Sequence, residues 1–150
     1  MKRKKKPSTS HTITPQDLRD FKLVGDPQLS ADGARVCYVV KKVGKKNDYQ
    51  TSLWMADVEK GRPRQFTRGT KDSQPRWSPD GSELAFISSR DDGPPQVFLI
   101  ACEGGEARPL TDFPEGTIAQ LRWSPTGKQI GVLFRETDSQ FTRQAEKDRG

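Results

Sequence analysis

Three serines stand where chemistry could be done. Ser30, Ser78 and Ser124 recur at intervals of 48 and 46 residues, and two of them are followed two positions later by a carboxylate, Asp32 and Asp80, with Thr126 in the third place. A serine hydroxyl beside an acid is the raw material of nucleophilic acyl transfer, which also needs a histidine as general base. The chain has one histidine, His11, in a Ser/Thr-rich leader ahead of the first repeat, and it contains no Gly-x-Ser-x-Gly. A hydrolase of the α/β type needs that elbow to lift its nucleophile out of a strand-to-helix turn. The neighbours of the serines point to a structural task instead. Trp77-Ser78-Pro79-Asp80-Gly81 returns as Trp123-Ser124-Pro125-Thr126-Gly127, and in weaker form as Leu29-Ser30-Ala31-Asp32-Gly33. Pro79 presets φ for a turn, Asp80 bonds nearby backbone N–H groups, and Gly81 takes the left-handed conformation of a three-residue hairpin loop. Serine at the head of such a turn bonds local backbone.

The other reactive residue types give no site. Cys37 and Cys102 lie in different repeats without metal-ligand spacing and are expected to be buried small hydrophobes. Gly104-Gly105 suits a hairpin turn rather than a phosphate cradle, because no P-loop lysine opens a helix after it. The expected catalytic, cofactor-binding and metal-ligating residues are therefore none, and no cofactor is expected.

Each phrase sits in a longer copied unit. Arg35–Val40, Glu83–Ser88 and Gln129–Phe134 are short apolar runs that follow the glycines and read as buried strands. Leu53–Asp57 and Gln96–Ile100 supply a further strand, then comes a turn, and the unit closes on Arg64-Gln65-Phe66-Thr67 or Arg108-Pro109-Leu110-Thr111. Four short strands per repeat at this period predict an all-β fold, a partial β-propeller of about two and a half four-stranded blades. The expected division is a basic leader over 1–13, a short helix and lead-in over 14–26, blades over 27–70 and 71–115, and an incomplete blade with a charged insertion over 116–150. Thr14 as N-cap, Pro15 at the first helical position and Asp17 as a capping-box acid place the helix at about 15–21.

Composition bounds the partners. The net charge is +6, but Lys2, Arg3, Lys4, Lys5 and Lys6 carry most of it, so the folded part is near neutral and a nucleic-acid partner is not expected. The charged start leads into Pro7-Ser8-Thr9-Ser10 rather than an apolar signal region, and no stretch approaches the ~20 apolar residues of a membrane span. No membrane partner is expected, and the expected location is the cytoplasm. With 31% hydrophobic residues in 150, the open blade array is expected to expose strand edges and blade faces and to be weakly folded or self-associating alone.

Ile13-Thr14-Pro15-Gln16-Asp17-Leu18 with Asp26-Pro27-Gln28-Leu29-Ser30-Ala31-Asp32-Gly33, and Gln74-Pro75-Arg76-Trp77-Ser78-Pro79-Asp80-Gly81 with Glu106–Thr111, resemble the start of acylaminoacyl-peptidase-type members of the prolyl oligopeptidase family of serine peptidases. The resemblance extends over roughly residues 12–150, including the charged tail after Phe134. It implies an N-terminal propeller that covers a C-terminal α/β-hydrolase domain and admits short peptides. Nothing here matches the hydrolase part, so the chain is expected to be the non-catalytic beginning of the propeller, gating and selecting substrates in the whole enzyme. The alternative is a segment of a TolB-like or other scaffold propeller that binds proteins.

Overall fold

The computed structural model describes residues 14, 17, 19–90 and 92–148. The basic run Lys2–Lys6 and His11 lie outside the described residues, as do Pro15, Gln16 and Leu18 of the expected N-terminal helix. What is described there is a 3-10 turn at Asp17 and Arg19, with the Thr14 amide donating to the Asp17 carboxylate at 2.6 Å, as the capping-box spacing requires.

Two four-stranded antiparallel sheets and a two-stranded third follow one another along the chain. The first holds β1 (Lys22–Leu29), β2 (Arg35–Val43), β3 (Tyr49–Asp57) and β4 (Arg64–Gln65). The second holds β5 (Asp72–Trp77), β6 (Glu83–Ser88), β7 (Gln96–Ala101) and β8 (Arg108–Pro109), in the same order. The third pairs β9 (Gly116–Trp123) with β10 (Ile130–Glu136), after which come a 3-10 turn at Ser139–Phe141 and a short helix, α1 (Arg143–Asp148). The first strand begins at Lys22, inside the segment expected as a lead-in. The sheets do not close into a ring, and the fold is the open partial propeller read from the repeat.

The phrases form the β1–β2, β5–β6 and β9–β10 hairpins. Gly33, Gly81 and Gly127 have φ of +71°, +71° and +70°, a region in which a Cβ would be strained. The serine amide closes each loop onto the carbonyl five residues on, at 2.8 Å in the first and third and 2.9 Å in the second. The fourth strands are two residues long because a threonine replaces the next rung: Thr67 Oγ1 accepts the Leu53 amide and Thr111 Oγ1 accepts the Val97 amide, both at 3.0 Å.

The core lies between sheets. Alternation sends Leu84, Phe86, Phe98 and Ile100 of the second sheet to one face, against Cys37, Leu53 and Met55 of the first. Ala85, Ile87, Val97 and Leu99 point to the other face, against Ile118 and Leu121 of the third. Buried on both sides, β6 and β7 read as unbroken apolar runs. The outer sheets have one uncovered face each, which leaves Val24 and Leu29 on one side and Leu133 on the other at 60–65% exposure.

Candidate functional site

The three serines are brought into equivalent turns, not into one cluster. Ser30 Oγ donates to Asp32 at 2.6 Å and accepts the Arg35 amide at 2.9 Å. Ser78 Oγ donates to Asp80 at 2.6 Å and accepts the Glu83 amide at 3.0 Å. Ser124 Oγ lies 3.2 Å from the Thr126 hydroxyl and accepts the Gln129 amide at 3.1 Å. Each hydroxyl is thus engaged on both sides by its own loop. The acids are tuned accordingly. Hydrogen bonds from Ser78 and then from the Ser82 amide pull the Asp80 carboxyl down to about 2, and the Ser30 hydroxyl followed by the Ala34 amide lowers Asp32 below its ordinary value. Both stay ionised at neutral pH, so they are hydrogen-bond acceptors and not proton donors.

Cys37 and Cys102, far apart in sequence, meet in the cluster between the first two sheets. Burial, reinforced by Cys102 itself, pushes the Cys37 thiol up to about 12, and burial pushes Cys102 up to about 11. Neither is a nucleophile at neutral pH. Among the described residues no three histidine, cysteine, aspartate or glutamate side chains are grouped to hold a metal ion. No helix of the described residues is long and apolar enough to cross a membrane.

What the structure builds is a seam, used twice. The Trp77 indole N–H donates to the Gln28 carbonyl at 2.9 Å, and the Trp123 indole N–H donates to the Arg76 carbonyl at 3.0 Å. Gln28 and Arg76 occupy the same repeat position, two residues before the serine, so each tryptophan clips its sheet to the first strand of the sheet before it. The acceptor residues face small partners across the ladder: Gln28 pairs with Cys37 and Arg76 with Ala85. Small side chains there leave space for an indole, and Trp77 and Trp123 pack against the clusters that contain Cys37 and Ala85 respectively. The Arg35 guanidinium stacks 5.2 Å from the Trp77 ring centroid.

Polar contacts follow the same seam. Asp26 and Gln74 are left-handed at φ +47° and +50°, each at the bulge that interrupts its first strand. The Asp26 carboxylate takes the Arg76 guanidinium at 2.9 Å, and Gln74 donates to the Ala119 carbonyl at 2.9 Å. These side chains carry no reactive spacing, and the signal that could have found them is their shared repeat position before Pro27 and Pro75.

A second feature had no sequence signal. Asp72 opens the inner strand of the second sheet fully buried, with Oδ1 accepting the Ser88 hydroxyl at 2.6 Å. Gly69 lies against that carboxylate, where a methyl group would collide with it. Beside it an open cleft of about 1140 Å³ runs between Arg64–Lys71 and the second sheet, with Arg68, Arg90 and Glu106 on its walls.

Comparison with known proteins agrees with the propeller fold. The family described as PD40, TolB beta propeller domain, matches residues 14–149. The chain is 43% identical over 122 residues to the uncharacterized peptidase YuxL of Bacillus subtilis, covering 80% of this chain but 18% of that protein. Its fold resembles acylaminoacyl peptidase of Pyrococcus horikoshii, with TM-score 0.65 at 20% identity over 77% of this chain and 18% of that one. It also resembles the β-propeller domain of the trilobed protease from Pyrococcus furiosus, which has an open velcro topology, with TM-score 0.62 at 21% identity over 76% and 34% of the two chains. The chain therefore spans about a fifth of the peptidase relative it matches in sequence.

Proposed function

Because the chain belongs to the PD40 family of TolB β-propeller domains, we propose that it forms the opening blades of the propeller of a serine peptidase resembling the acylaminoacyl peptidases. In that role it gates entry and selects short peptides, and it takes no part in bond cleavage. Its partner is an α/β-hydrolase domain on the same polypeptide, and its location is the cytoplasm. The observation that carries this reading is the commitment of every repeated serine hydroxyl to its own turn, combined with 43% identity to a protein named as a peptidase. A rigid, seam-locked lid without a nucleophile is what gating asks for, since selection by access needs shape and not acid–base chemistry.

Fluorophosphonate labelling tests it. The polypeptide that carries these residues in the cell is expected to label on a serine within a Gly-x-Ser-x-Gly, while the 150-residue chain does not label and does not hydrolyse acyl-peptide anilides. In the whole enzyme, Trp77→Ala is expected to raise kcat/KM for a long peptide relative to a tetrapeptide. A reading frame without that elbow and a late histidine refutes the peptidase assignment, and an unchanged length preference refutes the gating role. The family's TolB character favours a second reading, a scaffold propeller for protein partners. An open frame that ends after further repeats supports it.

A further inference from the structure

The seam on either side of the second sheet predicts the place of another. The acceptor position of the third sheet, equivalent to Gln28 and Arg76, is Arg122. Its ladder partner is Gly131, in register with Cys37 and Ala85. The small residue has here become none at all, and Gly131 is exposed where its counterparts are fully buried. A cavity of about 590 Å³ opens at this point, lined by Arg122, Trp123, Ser124, Gln129, Ile130 and Gly131. Gln129 is the counterpart of Arg35, whose guanidinium lies against the Trp77 ring. Leu133, on the same outer face of β10, is 63% exposed.

We propose that this cavity is the socket for the tryptophan of a further Trp-Ser-Pro-x-Gly repeat, whose indole N–H donates to the Arg122 carbonyl. The surface continues an interface already made twice, with the same acceptor, the same cross-strand partner and the same rim position. A second copy of this chain does not supply the ligand. Trp77 and Trp123 are both spent on internal seams, and the leading face of the first sheet carries Leu29 at the tryptophan position, 60% exposed and without an N–H to give. The leucine at this position disfavours head-to-tail stacking of copies. The inference rests on the seam geometry alone and stands whether or not the whole protein is a peptidase.

The intact chain provides the test, because Leu29→Trp puts the missing indole on the leading face. Sedimentation velocity over a concentration series reads association. Leu29→Trp is expected to associate up to roughly tenfold more tightly than Leu29→Phe, the effect of one added hydrogen bond to the second lone pair of a ladder carbonyl. Wild type is expected to resemble Leu29→Phe. Adding Gly131→Leu to Leu29→Trp fills the socket and is expected to abolish the gain. A Cβ at Gly131 meets only the Arg122 carbonyl oxygen, at 3.9 Å, so the blocking variant leaves its own fold intact. Gly131→Phe is a second blocker at the same position, and circular dichroism reports folding for each variant. Equal association of the Trp and Phe variants, wild type already as tight as Leu29→Trp, or a gain that survives both blockers overturns the proposal.

Discussion

Replacing Trp77 by phenylalanine isolates the clip from the packing. The ring stays, the seam cluster stays covered, and the N–H to the Gln28 carbonyl is lost. An intramolecular hydrogen bond between neutral groups contributes about 0.5–1.5 kcal/mol net, and the Gln28 carbonyl keeps its place in the ladder opposite Cys37. The Arg35 contact, 5.2 Å from the ring centroid, weakens because benzene is a poorer cation acceptor than indole. The sum is about 1–2 kcal/mol, which for a chain of this length lowers Tm by roughly 3–6 °C. Trp123→Phe breaks the equivalent bond to Arg76 and is expected to cost the hydrogen-bond share alone, about 0.5–1.5 kcal/mol. Leu29→Phe, at a 60% exposed site on an uncovered face, is expected to cost under about 0.5 kcal/mol. The assay is thermal unfolding followed by far-ultraviolet circular dichroism at low micromolar concentration. If Trp77→Phe is neutral, or if all three substitutions shift Tm alike, the tryptophans are generic apolar filler and the clip reasoning fails.

The turns make an acid-side prediction. The Asp80 carboxyl is held at about 2, below its ordinary 3.8, so its contribution is complete above the ordinary carboxylate range and is lost as pH falls through about 2. The Ser82 amide, 3.1 Å from that carboxylate, is expected to titrate with a midpoint near 2 by NMR, and a midpoint near 3.8 would show that the loop does not hold the ion. The thiols predict silence: with Cys37 at about 12 and Cys102 at about 11, neither reacts with Ellman's reagent at pH 8 in the folded chain, and both react in denaturant. One prompt thiol in native conditions contradicts that burial. Asp26→Asn removes the charge from the ion pair with Arg76, whose side chains are 30% and 17% exposed, and is expected to cost about 1–2 kcal/mol by urea unfolding. An unchanged urea midpoint would place that pair among the surface bridges that contribute nothing measurable.

Much of the fold is legible in the order of the amino acids. The spacing of Ser-Pro-Asp-Gly and the alternation of apolar residues specify hairpins, strand count and the repeat, because turn chemistry and a two-residue period are local properties. The structural role of Ser30, Ser78 and Ser124 is legible for the same reason: the hydroxyl's partners lie within five residues of it. The seam is not. That Trp77 reaches Gln28 and Trp123 reaches Arg76, that Cys37 and Cys102 share one cluster, and that Asp26 pairs with Arg76 are contacts between residues about 45–65 positions apart. Nothing in the local pattern encodes the rotation from one sheet to the next. Gly131 illustrates the difference: in the sequence it is a weak point in a strand, and beside Cys37 and Ala85 it becomes the floor of a socket. Thus the repeating unit, its turns and the absence of a serine-hydrolase elbow from these 150 residues follow from the order of residues alone. Which faces are sealed, which carbonyl each indole finds and which edge stays open were decided only when the sheets stacked, because a seam exists only between units and its hydrogen bonds are made across that gap.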